Sequence, residues 1–217
     1  PNDVYLEGRA LLRTGRLSEA RNLLETQAEE EHLDGQQRPQ RFHRETLLLL
    51  SLIYSMLGEV ELAERSARAG IETGRQLQSD FVEAVGHMRL GHTLQLNTIT
   101  PWELYRREEA VQHYQQSIDQ VSPFKVARVG VEPLWGISRA HGYTGDIHTA
   151  ELKGRQAFEI AEMAGDEWIG NLARISLGGS YALAGNNDAA EKWLLRAASG
   201  MQQVGDLYSW SAAMIWR

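Results

Sequence analysis

The feature that most constrains the fold of this chain is a glycine followed five residues later by an alanine, a pair that recurs at four regularly spaced places in otherwise different surroundings. The four pairs are Gly15/Ala20, Gly58/Ala63, Gly145/Ala150 and Gly185/Ala190. The glycines lie 43, 87 and 40 residues apart, so the middle interval spans about two periods. Self-similarity at a fixed period of roughly 20–50 residues is typical of a helical solenoid, and it predicts one hidden unit between Gly58 and Gly145.

Other positions repeat in phase with each glycine. Seven residues before it the chain has a small residue, and four before it a larger one; the small ones are Gly8, Ser51, Ser138 and Gly178, and the larger ones are Leu11, Tyr54, His141 and Tyr181. Helix formers with 3.6-residue periodicity fill the intervals, so each unit is predicted to be a helix A, a tight turn and a helix B. The glycine ends helix A with a positive φ, and the small residues let the two helices cross closely. Ser18, Asp146 and Asn187 are predicted caps of helix B.

The hidden unit can be placed by the same pattern. Its helix A is FVEAVGHMRLGHTLQL, from Phe81, and its helix B is EEAVQHYQQSI, from Glu108. Between them NTITPWELYRR replaces the glycine turn with an insertion of seven or so residues, where Thr100 and Pro101 predict a separate helix start. A last helix, DLYSWSAAMIWR, follows Gly205, and its aromatic residues are expected to pack on the fifth unit or on a neighbour. We therefore expect one domain over 1–217, with five helix pairs and one C-terminal helix.

Two stretches carry a resemblance to the tetratricopeptide repeat (TPR). YLEGRALLRTGRLSEARNLL and LGGSYALAGNNDAAEKWLLRA both match the small–large–Gly–Ala pattern of that repeat over a helical pair. The resemblance implies an all-α fold, a right-handed superhelix (α-solenoid) of antiparallel helix pairs. The period near forty residues exceeds the usual ~34, and the Gly-Asp breaks between long helices resemble the MalT-like variant. That variant occurs in large bacterial transcription regulators, beside an ATPase module and a DNA-binding domain. The insertion near Trp102 and Pro133 inside a helix A depart from the pattern.

Composition excludes several classes of site. The chain has no cysteine, so disulfides and thiolate metal sites are absent and a cytoplasmic location is expected. A net charge of −7 repels phosphate backbones, so this segment is not expected to contact nucleic acid. No apolar run is long enough to span a membrane, and PNDVYLEG is no signal peptide. Because the chain lacks an initial Met and stops in an apolar pattern, we expect it to be a fragment of a longer multidomain protein.

No catalytic motif stands out, and no enzyme activity or cofactor is expected. The chain has no G-x4-GK[ST] phosphate-binding loop. Ser138 and Ser180 approach a nucleophile elbow but lack its last glycine and lie in predicted helices, where small residues serve helix crossings. His87 and His92 are five residues apart, about 140° around a helix, which does not suit a helical metal pair. Metal binding is therefore not expected.

Binding is the remaining function. In stacked helical pairs the A helices line the concave surface. The A-helix residues predicted to face inward combine cations, hydrogen-bonding groups and aromatic rings; they are Tyr5, Arg9, Arg13, Met88, His92, Gln95, Trp135, Arg139 and Tyr143. This set suits an acidic peptide or a small anionic ligand, through Arg–carboxylate pairs and stacking, and equally suits an ordinary solvated groove.

Two functions follow as hypotheses. In the first, the chain is a noncatalytic interaction and ligand-sensing domain of a bacterial transcription regulator, which binds a protein partner, other domains of its own chain or an anionic inducer and signals to attached ATPase and DNA-binding domains. In the second, it is a peptide-binding receptor or assembly scaffold that uses the concave TPR groove.

Overall fold

The computed structural model describes residues 2–34, 41–96, 104–121 and 127–217 of the chain, and every regular element in them is an α-helix. Odd-numbered helices are the A helices of the repeat and even-numbered ones the B helices. In chain order they are α1 (Asn2–Arg13), α2 (Leu17–Asp34), α3 (Arg41–Leu57), α4 (Val60–Gln76), α5 (Asp80–Leu96), α6 (Leu104–Val121), α7 (Ala127–Thr144), α8 (Ile147–Ala164), α9 (Glu167–Leu183), α10 (Asn187–Gln203) and α11 (Leu207–Trp216). The all-α, helical-repeat fold class is thus confirmed, while the extent of the domain stays a prediction.

The repeated glycines make the turns that the sequence predicts. Gly15, Gly58, Gly145 and Gly185 all have φ between 73° and 84°, in the left-handed region that an L-residue adopts only with strain. Each lies between the A helix and the B helix of its unit. Gly165 and Gly205 adopt the same conformation between units, at φ 67° and 72°. Glycine is therefore needed at these turns for its backbone.

The predicted caps are partly right. Asp146 caps α8, since its carboxylate accepts the backbone N–H of Thr149 at 3.1 Å. Asn187 is the wrong residue by one position, because Asn186 accepts the N–H of Ala189 and caps α10. Ser18 is also wrong, because α2 begins at Leu17 and includes it. The N-cap is the residue whose side chain accepts a hydrogen bond from the first turn of the helix. Sequence spacing predicts its position only to within about one residue.

The small residues of each unit lie at the helix crossings. The repeat alanines are buried: Ala20, Ala63, Ala110, Ala150 and Ala190. A Cβ added to Gly178 of α9 would come within 2.5 Å of Leu194 of α10. Where the small residue is a serine, it also bonds across the pair, and Ser138 donates to the Ala150 carbonyl at 2.7 Å. Small residues such as Ser138 are therefore required by the close packing of the two helices.

Successive A helices pack side by side, each on the next odd-numbered helix along the chain, and α1 also contacts α11. The B helices pack on their own A helices and on the following ones. Helix α7 continues through Pro133. The predicted helix start at Thr100 and Pro101 lies outside the described residues. Among the described helices, none is both long and apolar enough to cross a membrane.

The C-terminal helix packs as the sequence predicts for one of its aromatic residues. The Trp216 indole lies 3.6 Å from where a Cβ on Gly179 of α9 would be, so it covers the fifth unit. Trp210 lies on the outer side of α11 and is 36% exposed, next to the exposed Leu207 and Met214. Tyr208 instead turns toward the interior of the superhelix.

Candidate ligand-binding groove

Two adjoining cavities run along the inside of the superhelix, and all of their lining residues lie on A helices or at the N-cap of α11. The first, here called the N-terminal lobe, has a volume of about 370 Å³ and is lined mainly by α1, α3 and α5. The second, the C-terminal lobe, has a volume of about 210 Å³ and is lined mainly by α7, α9 and α11. The lobes share the residues Leu12, Leu52, Arg89, Glu132 and Trp168. They therefore form one groove, with Arg89 and Glu132 at its middle.

Most of the predicted groove residues line this cavity pair. Tyr5, Arg9, Arg13 and Met88 line the N-terminal lobe. His92, Trp135 and Arg139 line the C-terminal lobe. Tyr143 lies beside that lobe, in a narrow cleft with Arg139 and Trp216. Gln95 lines neither lobe, because its side chain is buried between α5, α6 and α7. Whether these residues bind a partner stays a prediction.

The groove is more basic than the chain as a whole. Among the described residues, four arginines line it, Arg9, Arg13, Arg89 and Arg139, against two carboxylates. Both carboxylates already have internal partners: Glu132 accepts from Arg89 at 2.9 Å, and Asp206 accepts from the Trp168 indole at 2.7 Å. Asp206 also accepts the backbone N–H of Ser209 at 2.8 Å as the cap of α11.

Three of the groove arginines lie over aromatic rings. The Cζ atom of Arg9 is 5.9 Å from the centre of the Tyr5 ring, and that of Arg13 is 5.2 Å from the Trp168 ring. Arg139 lies 5.1 Å from the Trp135 ring. Within the described part of the chain, Arg13 and Arg139 make no ion pair. A cation held by stacking keeps its N–H donors available to an anionic ligand.

Arg13 also joins the two ends of the array. It lies on α1, whereas the Trp168 ring beneath it lies on α9, and the Trp168 indole in turn bonds the cap of α11. This chain of contacts agrees with the direct contact between α1 and α11. Residues of the first and last helices, α1 and α11, are therefore connected through Trp168 at the edge of the groove.

A buried hydrogen-bond network supports the wall of the C-terminal lobe. The Gln95 amide donates to the Gly136 carbonyl at 3.0 Å and accepts the Tyr114 hydroxyl proton at 2.8 Å. The Tyr114 oxygen is also 2.8 Å from Nδ1 of His92. Since the single Tyr114 proton goes to Gln95, His92 must be the donor at Nδ1. The network thus fixes the orientation of the His92 ring.

The other nitrogen of His92 faces a carboxylate. Its Nε2 is 3.5 Å from Oε2 of Glu132, the oxygen that Arg89 also contacts. Burial lowers the pKa of the His92 imidazole, the Glu132 carboxylate opposes this, and the charges of Arg89 and Arg139 lower the pKa further. Burial likewise raises the pKa of Tyr114. At neutral pH the buried imidazole is therefore neutral, with its Nε2 lone pair toward Glu132.

Two buried donors beside the groove have no acceptor among the described residues, namely Nε of Arg89 and Nε1 of Trp135. Both residues line the C-terminal lobe, together with Arg139. Buried N–H groups in native proteins are nearly always paired, so an unpaired pair of donors at a cavity indicates a place for an acceptor. Both atoms lie just below the cavity surface, so a ligand oxygen would reach them after a small shift of these side chains.

Sequence reasoning missed several groove residues. Arg89 and Glu132 lie three residues before His92 and Trp135, so they share a helix face with predicted residues and could have been found by extending each stripe one turn. Trp168 and Tyr208 stand forty residues apart, two residues after the matched Gly165-Asp166 and Gly205-Asp206 breaks. That repeat phase was the available signal for them.

The described residues contain no other cluster suited to common site chemistry. No group of three or more His, Asp or Glu side chains among them could hold a metal ion. Ser138 and Ser180 lie within α7 and α9 and are buried. His87 does not approach His92 but stacks on His113 of α6, with their Nδ1 atoms 2.9 Å apart.

Comparison with known proteins identifies the fold. No protein-family model and no curated protein matches the sequence. The crystal structure of a Rap protein complexed with competence and sporulation factor is similar, with a TM-score of 0.75 and 14% identity, over 98% of this chain and 62% of that one. The chain thus spans less than two thirds of that relative. A Podospora anserina putative kinesin light chain with TPR-like repeats matches with a TM-score of 0.61 and 14% identity, over 94% and 95% of the two chains. The protein therefore has the fold of a TPR-like helical-repeat solenoid.

Proposed function

We propose that this chain is a noncatalytic interaction domain whose concave groove binds a peptide segment of a protein partner that carries acidic groups. The observation that carries the proposal is the row of four arginines along an aromatic groove in a chain of net charge −7. Arginines stacked on rings present planar donors that pair with carboxylates, and the rings bind apolar side chains. The groove's two lobes together suit several residues of an extended segment.

The comparison with the Rap structure supports the same proposal. That solenoid was crystallised in complex with competence and sporulation factor, and this chain matches it along 98% of its own length. At 14% identity the likeness concerns the fold, so the nature of the ligand rests on the groove residues of this chain. The stacked Arg13 and Arg139 are the residues we expect to contact the partner most directly.

An array of heptapeptides with one fixed central Glu and random flanking positions tests the proposal. The chain is expected to bind a subset of these peptides, and Arg139→Gln and Trp135→Ala are each expected to weaken binding about tenfold, as for loss of a charge-assisted hydrogen bond or an anchor ring. Arg68→Gln is the matched control, because Arg68 lies on α4, a B helix, with 55% of its side chain exposed. Equal binding by the groove variants and the control would exclude the groove assignment.

The second part of the proposal concerns the role of this binding. The resemblance of the repeats to the MalT-like variant favours a ligand-sensing domain of a bacterial transcription regulator, which passes the bound state to ATPase and DNA-binding domains. The alternative is a peptide receptor or assembly scaffold without such domains. The full-length reading frame decides between them, since a gene that encodes neither module would exclude the regulator.

A further inference from the structure

The strongest unexplained feature of the groove is the environment of His92, where a proton is missing from an otherwise complete network. Nδ1 of His92 must donate to Tyr114, because the tyrosine proton is committed to Gln95. The neutral ring therefore carries a bare Nε2, and this faces Oε2 of Glu132 at 3.5 Å. Two acceptors face one another, a contact that becomes favourable only when a proton lies between them.

Without a ligand, Arg89 stabilises the contact between His92 and Glu132. Its Nη1 donates to the same Glu132 oxygen at 2.9 Å, which compensates the carboxylate charge without a proton on His92. The opposite edge of the guanidinium has an unpaired Nε, and Arg89 lines both lobes of the groove. A ligand carboxylate that reaches this edge, after a small shift of the Arg89 side chain, would share the guanidinium with Glu132. Glu132 would then be less compensated, and a negative charge nearby favours the protonated imidazole.

In the described part of the chain, the charged and titratable groups around His92 come from four helices, α5, α6, α7 and the start of α11. Arg89 precedes it on α5, Tyr114 faces it from α6, and Glu132 and Arg139 face it from α7. Tyr208 and Asp206, at the start of α11, line the same lobe. Asp206 is held by Trp168 and by the N-terminus of α11, so it is already stabilised as a carboxylate. A new anion in the lobe therefore acts mainly on Arg89, Arg139 and the His92–Glu132 pair.

We propose that the C-terminal lobe binds a carboxylate of the ligand between Arg89 and Arg139, and that this binding is coupled to the uptake of one proton from solvent onto Nε2 of His92. The proton then lies between His92 and Glu132, so that Glu132 and the ligand carboxylate each have a cation beside them. The unpaired Nε1 of Trp135 supplies a further donor at the same wall. This inference rests on the proposed peptide-binding function and adds the ligand group, its position and its pH dependence.

The test compares heptapeptides that differ only in their carboxylates, with unaltered protein. One peptide has a central Glu and blocked ends, its twin has Gln at that position, and a third is the Gln twin with a free C-terminus; glutarate serves as a small dicarboxylate. Calorimetry at pH 7 in phosphate and in Tris, which differ in ionisation enthalpy, gives the number of protons taken up. The Glu peptide is expected to bind about tenfold or more tightly than its twin, as for a charged hydrogen bond, with buffer-dependent heats.

The peptide with a free C-terminus and glutarate identify which kind of carboxylate the lobe binds. If the free-terminus peptide matches the Glu peptide, the lobe binds a C-terminal carboxylate, and if glutarate alone shows proton uptake, it binds a small anion. Glu132→Gln and His92→Gln should each abolish the uptake, and their melting curves show whether they fold. If these variants do not fold, calorimetry of the unaltered protein in the two buffers still decides whether a proton is taken up.

Failure of this inference differs from failure of the groove function. Equal affinity of the Glu and Gln twins, or equal heats in the two buffers, would overturn the proton-coupled carboxylate site and leave a peptide groove. Absence of binding by every peptide and by glutarate would overturn the groove itself. Tighter binding of the Glu peptide at pH 6.5 than at pH 7.5, by a few-fold, is the corresponding affinity result, because proton uptake favours the complex at low pH.

Discussion

Two helix crossings occupy the same place in the repeat and have different partners. In α9 and α10, Gly178 faces Leu194, which lies four residues after the repeat alanine and contributes packing. In α5 and α6 the equivalent residue is Tyr114, whose ring lies where Cβ atoms on Gly91 and Gly136 would come within 2.7 and 2.2 Å. The Tyr114 hydroxyl continues to His92 at the groove wall. One position of the repeat therefore serves packing in one unit and both packing and the groove in the other.

The largest expected effect is at the glycine that faces Tyr114. Gly136→Ala would place a methyl group into a rigid ring held between two helices, and we expect it to lower the free energy of unfolding by about 1–3 kcal/mol through overpacking. Gly178→Ala should cost less, because it meets the Leu194 side chain, which can change rotamer, at 2.5 Å, whereas Gly136 meets an aromatic ring at 2.2 Å. Urea denaturation measures both.

Gly130→Ala is the control for the two glycine variants. A Cβ there meets nothing within 4 Å, so the variant should gain about 0.5–1 kcal/mol from helix propensity. If Gly136→Ala is as stable as Gly130→Ala, the ring does not lie between the two glycines as described.

Removing the Tyr114 hydroxyl separates the packing role of this residue from its role in the hydrogen-bond network of the groove wall. Tyr114→Phe keeps the ring but leaves a buried N–H of His92 and the oxygen of Gln95 without partners, at an expected cost of about 1–3 kcal/mol. The matched change is Tyr181→Phe in α9, whose hydroxyl bonds the more exposed Glu151 and Arg155, so its cost should be smaller. Thermal denaturation compares them, and equal losses would argue against the network.

A smaller effect is the dependence of stability on pH, which we expect to arise between α5 and α6. Burial, and then the charge of His113, lowers the pKa of His87 to about 4, and burial also lowers the pKa of His113. The unfolded chain therefore takes up protons first, so this contribution to stability is complete above about pH 6.5 and is lost as the pH falls toward 4. The melting temperature should fall over that range.

Replacement of His87 tests the assignment of this acid loss. His87→Asn should flatten the dependence of melting temperature on pH, because it removes the buried imidazole whose pKa is lowered. An unchanged slope in the His87 variant would place the acid sensitivity elsewhere in the chain.

The comparison also explains what the sequence could predict. Turn glycines such as Gly185 and crossing residues such as Ala190 follow from short-range geometry that recurs in each unit, so a pattern finds them. The groove contacts join residues far apart in the chain: Arg89 and Glu132 are 43 residues apart, and Trp168 and Asp206 are 38 apart. Gln95 was predicted to face the groove, but its side chain is buried and bonds Tyr114 and Gly136 of the neighbouring helices. Such contacts depend on tertiary packing that periodicity does not specify.

The most direct test of the account is the location of a bound peptide, measured by hydrogen exchange of the chain with and without the central-Glu heptapeptide. A peptide bound in the groove should add protection on the A helices that line it, above all in α5 and α7 around Arg89 and Arg139. Protection confined to the B helices, or to the exposed face of α11 around Trp210, would contradict it, because the partner would then bind outside the superhelix.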